Sequence, residues 1–209
     1  MTALTFLRPQ TSSTRNVLLV VTWFVVIYLL AAAGFFTTDG VEPPWRLGLA
    51  VGLPVAAVAV AVWRSEAVRA WADCLDLRLL IALQSWRFGG FVFIAMSANG
   101  LLPASFAIPA SLGDVAMAVT APFVANYVVR VGRAAMPLLI GWTIFGFLDL
   151  IAAVTLGILN SEGPLGILSD QVLTTDLVTR LPVVLIPTFG VPLMLVLHIL
   201  ALRAASRLR

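Results

Sequence analysis

Long apolar stretches separated by short polar ones dominate the chain. A helix needs about 20 mainly apolar residues to cross a bilayer. Six stretches approach that length, at 16–36, 47–63, 79–98, 110–129, 135–159 and 181–202. The second is short and interrupted by Pro54, and the sixth is broken by Pro187, Gly190 and Pro192. Segment 65–78 has a different pattern. Val68, Trp71, Ala72 and Leu75 recur there at helical spacing, while Glu66, Arg69 and Asp73 can pair at i,i+3 and i,i+4 on another face. With Ser65 as its cap, this reads as a helix lying in the membrane interface. A weaker amphipathic pattern over 167–179 predicts a second one.

The expected fold is therefore an all-α, polytopic transmembrane helical bundle of about six spans, with residues 1–209 in a single domain. Composition agrees. Of 209 residues, 61% are hydrophobic and 11% charged, and the mean hydropathy is +1.04. Soluble domains are roughly 45–50% apolar and about 25% charged. The first span follows a polar stretch and is too long for the hydrophobic region of a secretory signal.

Charge changes the picture twice. Lysine is absent and all 13 basic residues are arginine, so a retinal or pyridoxal Schiff base has no amine to form on. The loops then set orientation, because arginine-rich short loops stay in the cytoplasm. Ten arginines (Arg8, Arg15, Arg64, Arg69, Arg78, Arg130, Arg133, Arg203, Arg207 and Arg209) fall on one side of the six-span scheme. Only Arg46 and Arg180 fall on the other, with Asp39, Glu42, Glu162, Asp170 and Asp176. The alternation predicts that both termini are cytoplasmic. Spread through short loops, these arginines form no nucleic-acid-binding patch.

Three charged residues lie inside predicted spans: Arg87, Asp114 and Asp149. Each costs roughly 2.5–3.5 kcal/mol on insertion scales, so such residues face the bundle interior and find partners. At the helical rise, Arg87 lies roughly 12 Å from the cytoplasmic end of its span and both aspartates roughly 21 Å from theirs. An extended arginine covers much of that gap. One arginine between two aspartates can fix helix register, or it can form the polar centre of a cavity or proton path.

Around this trio, Leu102–Asp114 reads LPASFAIPASLGD. Pro103 and Pro109 disfavour helix before them, and Ser111 with Asp114 matches the S-x-x-D helix-start pattern. The expectation is a capped start to the fourth span near 110, or a re-entrant loop offering free N–H groups to an anion or polar group. Gly113 would allow close approach. Trp142, Gly146, Asp149 and Ala153 share a stripe of the fifth span, suited either to a ligand or to close packing. Gln84 and His198 lie at similar depth, where a hydrogen bond would satisfy both. Alternatively His198 is a proton relay or an axial ligand to a haem or chlorin. One histidine and one cysteine, Cys74, provide neither a His-rich metal site nor an internal disulfide.

Two wider features remain. Gly48, Gly52 and Ala56 form a small-xxx-small stripe, which suggests helix–helix contact with a second copy or a membrane-complex partner. The third and sixth spans are broken at similar depth, by Gly89-Gly90 and by Gly190 with Pro192, a weak trace of inverted repeats. In outline the chain is similar to rhomboid proteases, with Trp45-Arg46 in the first loop, Ser111 and His198. Yet His198 lies roughly 6 Å from the cytoplasmic end and Ser111 roughly 25 Å from it, too far apart for a nucleophile–base pair.

Residues 83–87 (LQSWR), LPASFAIPASLGD and VPLMLVLHIL resemble small bacterial polytopic membrane proteins of uncharacterised function. The likeness spans roughly 79–202 and implies a bacterial inner-membrane setting, with no activity to carry over. The leading expectation is a small transporter or channel-like protein for an ion or small solute. In it Arg87, Asp114, Asp149, Gln84, Trp142 and Ser111 would form the polar centre. The second is a non-catalytic subunit, or a lipid- or pigment-binding module, of a larger membrane complex.

Overall fold

The computed structural model describes residues 11–38, 43–169 and 172–208. Arg8, Arg209, Asp39, Glu42 and Asp170 lie outside them. The described residues form helices and turns, with no strand among them. Five helical stretches are long and apolar enough to cross a membrane. Side chains such as Trp63, Trp86 and Phe123 stand more than 70% exposed on their outer surfaces.

Helix α1 spans Thr11–Ala32 and α2 spans Trp45–Arg64, with Pro54 inside a continuous helix. The short helix α3, Glu66–Ala72, begins where the amphipathic pattern placed it but ends before Leu75, short of the expected 78. The Ser65 hydroxyl accepts from the backbone N–H of Val68 at 3.3 Å, and Ala72 is buried. Asp73 departs from its expected pairing with Arg69. It binds Arg203 (2.7 Å) and Arg207 near the C-terminus, while Arg69 donates to the carbonyls of Val62 and Trp63 at the end of α2.

The stretch Leu77–Ala98 changes geometry twice. Asp76 caps α4, Leu77–Ala82; a 3-10 helix runs over Leu83–Gly90; α5 is Phe91–Ala98. Eight residues of 3-10 helix exceed the usual three or four. Gly89 and Gly90, poor α-helix formers, close it.

Helix α6, Ala104–Val131, begins six residues before the expected start. Pro103 takes the extended N-cap conformation (φ −65°, ψ 134°), and Pro109 is absorbed within the helix. A single internal proline removes only one backbone bond, which packed membrane-type helices tolerate. Ser111 and Asp114 are therefore in mid-helix, and neither a cap nor a re-entrant loop forms there. Helix α7 is Met136–Leu159.

The longest apolar stretch, Ala104–Leu159, folds back on itself at Gly132, where φ is +70°. Trp142 Nε1 donates to Thr120 Oγ1 at 3.0 Å, a Cβ on Gly113 would meet Asp149, and one on Gly146 would meet Met117. These pairs lie symmetrically about position 131, so α6 and α7 form an antiparallel hairpin.

Among the described residues of the segment 167–179 no α-helix forms. Only Asp176–Thr179 makes a 3-10 turn, and the preceding loop is tied to the end of α7 by Leu168 N–Leu159 O (2.8 Å) and Thr175 N–Asn160 O (3.0 Å). Pro164 and the glycines at 163 and 166 favour that loop over a helix. A π turn at Ile186–Gly190 leads into α8, Val191–Ala205, which packs on α2, α4 and α7. The main apolar core joins Ile81, Val128, Leu139 and Ala201. Helix α1 lies at the rim, where Trp23 and Phe24 pack edge-on against Phe189 at ring distances of 4.9 and 5.1 Å.

Candidate functional site

The unwound segment Leu83–Gly90 carries Arg87 into the interior, where its side chain is 1% exposed. Arg87 Nε donates to Asp114 Oδ1 at 2.8 Å, and its Nη2 pairs with Asp149 Oδ2. Nη1 reaches the Gly146 carbonyl at 3.4 Å. The expected trio is thus assembled, from the 3-10 segment, α6 and α7. One cation facing two carboxylates leaves one formal negative charge in excess.

Glycines make room for this centre. A Cβ on Gly90 would stand 2.7 Å from Asp114 Cβ, and one on Gly113 would run into the Asp149 carboxylate. On Gly146 it would meet His198 Nε2 at 2.5 Å and Met117 Cε at 2.6 Å. Each polar side chain sits in a notch that glycine leaves on the neighbouring helix. All three glycines drew notice in the sequence, Gly90 as part of the break in its span; the pairing of Gly90 with Asp114 had no sequence signal. Ser111 locks the same contact by donating to the Gly90 carbonyl at 2.8 Å.

The remaining candidates are placed differently from expectation. Gln84 donates to the Met194 carbonyl at 3.0 Å, so the Gln84–His198 hydrogen bond is absent, and Gln84 Oε1 has no protein partner. His198 is 0% exposed and neither ring nitrogen has a hydrogen-bond partner. Trp142 and Phe147 lie against its ring at 5.2 and 5.6 Å, and α7 closes over it at Gly146. The imidazole is thus enclosed by α7 and two aromatic side chains. Trp142 contacts His198 and Thr120 rather than the charges. Ser111 donates to the Gly90 carbonyl while His198 has no hydrogen-bond partner, so the two are not hydrogen-bonded to each other. No cluster of three metal-ligating side chains occurs among the described residues.

A cleft lined almost throughout by apolar side chains reaches this centre. Leu47, Gly48 and Val51 of α2 form one wall, and Ala153, Val154 and Gly157 of α7 another. Phe93 and Phe106 lie in the floor, Asp114 and Leu150 line its inner part, and Thr38, Ser161, Thr175 and Thr179 line it near the loops. At the opposite end of the bundle, Asp73, Arg203 and Arg207 join α3 to α8 over the main apolar core. That cross-link was invisible in sequence, because 130 residues separate Asp73 from Arg203.

A family model described as "Domain of unknown function (DUF8737)" matches residues 44–205. The chain belongs to that family. The matched segment runs from the start of α2 to the end of α8 and contains the whole polar centre and most of the cleft wall; α1 lies outside it. No curated protein and no solved structure matches the chain.

Proposed function

We propose that the protein is a small polytopic membrane protein of the bacterial inner membrane that moves a cation or small solute. Arg87, Asp114 and Asp149 would form its polar centre. The orientation puts the ten-arginine side in the cytoplasm with both termini, and α6 and α7 cross separately to give six spans. The observation that carries the reading is the cleft, which leads from the loop side holding Thr38 and Thr175 to the Asp114 carboxylate. The other half of the bundle is filled by the core around Ile81 and Leu139 and clamped by Asp73. Access from one side to a charged centre, with the other side packed shut, is one state of an alternating-access cycle. The excess negative charge gives a proton or small cation something to neutralise in a medium where an unpaired charge is expensive.

The non-helical turns sit where such a cycle needs them. The 3-10 segment carries Arg87, and the π turn Ile186–Gly190 borders the cleft through Ile186 and Pro187. Irregular helix geometry of both kinds recurs at hinges and functional sites.

The test is flux into liposomes containing purified protein and a trapped pH-sensitive dye, with Na⁺ or K⁺ gradients imposed. Wild-type vesicles should exceed empty ones, and Asp149→Asn should lose at least tenfold while eluting as an intact particle. Wild-type flux equal to that of empty vesicles would overturn the reading.

A second reading, a subunit held in a larger complex or homo-oligomer, rests on α2. Gly48, Gly52 and Ala56 are exposed, and a Cβ on either glycine would meet nothing within 4 Å. Loss of assembly in Gly52→Leu, without intrinsic flux in the wild type, would favour it.

A further inference from the structure

The apolar cleft does not end at its loop-side mouth. A second hollow adjoins it and shares Thr38, Pro44 and Leu47 as common walls. The two differ in shape and chemistry. The cleft is narrow, with a cavity volume of about 80 Å³. The neighbouring basin is wide, about 620 Å³, and is lined by Arg46 and Arg180. In the six-span scheme these are the only two arginines assigned to that side of the protein, which also carries Asp39, Glu42, Glu162, Asp170 and Asp176. Of these acids Glu162 and Asp176 are among the described residues, and neither lines the basin. A narrow apolar slot opening into a broad, doubly cationic basin matches an amphiphile with a chain-like tail and an anionic head.

Arg46 is held in place for such a role. Its Nη1 donates to the Phe35 carbonyl at 3.1 Å, and its guanidinium lies over the Phe35 and Trp45 rings at 5.1 and 5.3 Å. One such bond leaves other N–H donors of the five that a guanidinium carries. Arg180 is exposed beside the basin and is in no ion pair among the described residues, although the Glu162 carboxyl lies close enough to feel its charge. Two guanidinium groups suit a phosphate, which they can bind through paired N–H donors. Trp45, in the basin wall, is the residue type that settles at headgroup level. Along the cleft, Gly48 is exposed and faces open space, so the α2 side is a route by which a chain enters from the surroundings.

We propose that basin and cleft together hold one anionic phospholipid of the surrounding bilayer, its phosphate between Arg46 and Arg180 and one acyl chain in the slot between α2 and α7. The bound lipid covers apolar surface that would otherwise line an empty groove, and its tail extends toward Asp114, whose charge Arg87 offsets. The inference rests on the membrane location in the preceding section and not on transport: lipid tail and solute would occupy the same cleft in turn, so a moving solute has to displace the tail.

The experiment is native mass spectrometry of the full-length protein in a non-ionic detergent, titrated with dioleoyl phosphatidylglycerol, dioleoyl phosphatidylcholine or oleate. Carbonate washing of the source membranes tests the membrane location separately. Phosphatidylglycerol should be retained as a one-to-one adduct at least tenfold more tightly than phosphatidylcholine. The double variant R46Q/R180Q should lose that preference, in line with the pull of two arginines on an anionic lipid. Ala153→Trp, which fills the slot, should abolish the adduct while the unfolding temperature stays within a few degrees of the wild type. If Ala153→Trp fails to fold, Val154→Phe in the same wall serves instead. Equal retention of the two phospholipids, a preference untouched by R46Q/R180Q, or displacement by oleate at stoichiometric amounts would overturn the proposal.

Discussion

A methyl group placed on Gly90 would stand 2.7 Å from the β-carbon of Asp114, with the carboxylate closer still. The colliding atom belongs to the root of the side chain, so rotation of the carboxylate cannot relieve it. Overpacking of this kind destabilises by about 1–3 kcal/mol. Gly90→Ala should therefore lower the unfolding temperature in detergent and pull Asp114 from Arg87. The neighbouring Gly89→Ala, where a Cβ meets nothing within 4 Å, should have little effect. Equal behaviour of the two variants would remove the notch argument.

Arg87 is the partner on which both aspartates depend. Breaking a buried ion pair from one side costs about 3–5 kcal/mol, because the remaining charge is left unmatched. Arg87→Gln should cost that much or fail to accumulate. Adding Asp114→Asn and Asp149→Asn should recover a large part of the loss. A triple variant no more stable than Arg87→Gln alone would show that the arginine's packing matters more than its charge. Thermal unfolding of the wild type, Arg87→Gln and the triple variant in one detergent decides it.

His198 makes the opposite prediction. Its two ring nitrogens are buried without a hydrogen-bond partner, and aromatic rings flank it. Exchange for an apolar ring of similar size removes groups that are costly to bury unpaired. His198→Phe should be as stable as the wild type, within about 1 kcal/mol, or more stable. Flux lost in a stable His198→Phe would give the imidazole a chemical role in the proposed transport cycle.

The Asp73 cross-link ties α3 to the end of α8. The Asp73 side chain is 1% exposed, and the carboxylate pairs with Arg203 and Arg207. Hydrogen bonds to charged groups contribute about 1.5–3 kcal/mol each, and the exposure of Arg207 places its share at the low end or below. Asp73→Asn should destabilise by about 2 kcal/mol and increase protease cleavage beyond α8. Unchanged cleavage with unchanged stability would make the contact incidental.

Glu162, in the loop after α7, is held above the usual glutamate range. Its hydrogen bond with Asp176 and the Asp176 charge raise it, and Arg180 opposes them. A raised acid favours the protonated folded form. Its contribution to loop stability is therefore complete below the unfolded glutamate value and is lost as pH rises through the higher folded one. Hydrogen exchange of residues 160–180 should quicken across that interval in the wild type. In Glu162→Gln the pH response should flatten; an unchanged response would assign it elsewhere.

Much of this was legible from sequence because bilayer burial leaves so few charges. Arg87, Asp114 and Asp149 stood out as the charges within apolar stretches; helical rise put the two aspartates at one depth and Arg87 short of it, within reach of its long side chain. The boundaries of α2 and α7 followed from apolar periodicity, and the start of α3 from its Ser65 cap, but α3 ends at Ala72 rather than at the expected 78. The start of α6 did not, because Pro109 and the Ser111–Asp114 spacing mimic a helix start while tertiary contacts keep the helix running back to Ala104. Long-range pairings such as Asp73 with Arg203 are set by how helices are arranged in three dimensions, which local patterns do not encode.

The hairpin and the unwound segment also impose an order of events on biosynthesis. Arg87 emerges 27 residues before Asp114 and 62 before Asp149. At about 5–20 residues per second, several seconds pass before its second counter-charge exists. On the membrane reading, the ribosome therefore releases a marginal third span that waits for the following hairpin. Successful insertion of Leu77–Ala98 depends on sequence not yet translated, so truncating the message before α7 should leave that segment poorly inserted, however apolar its average composition.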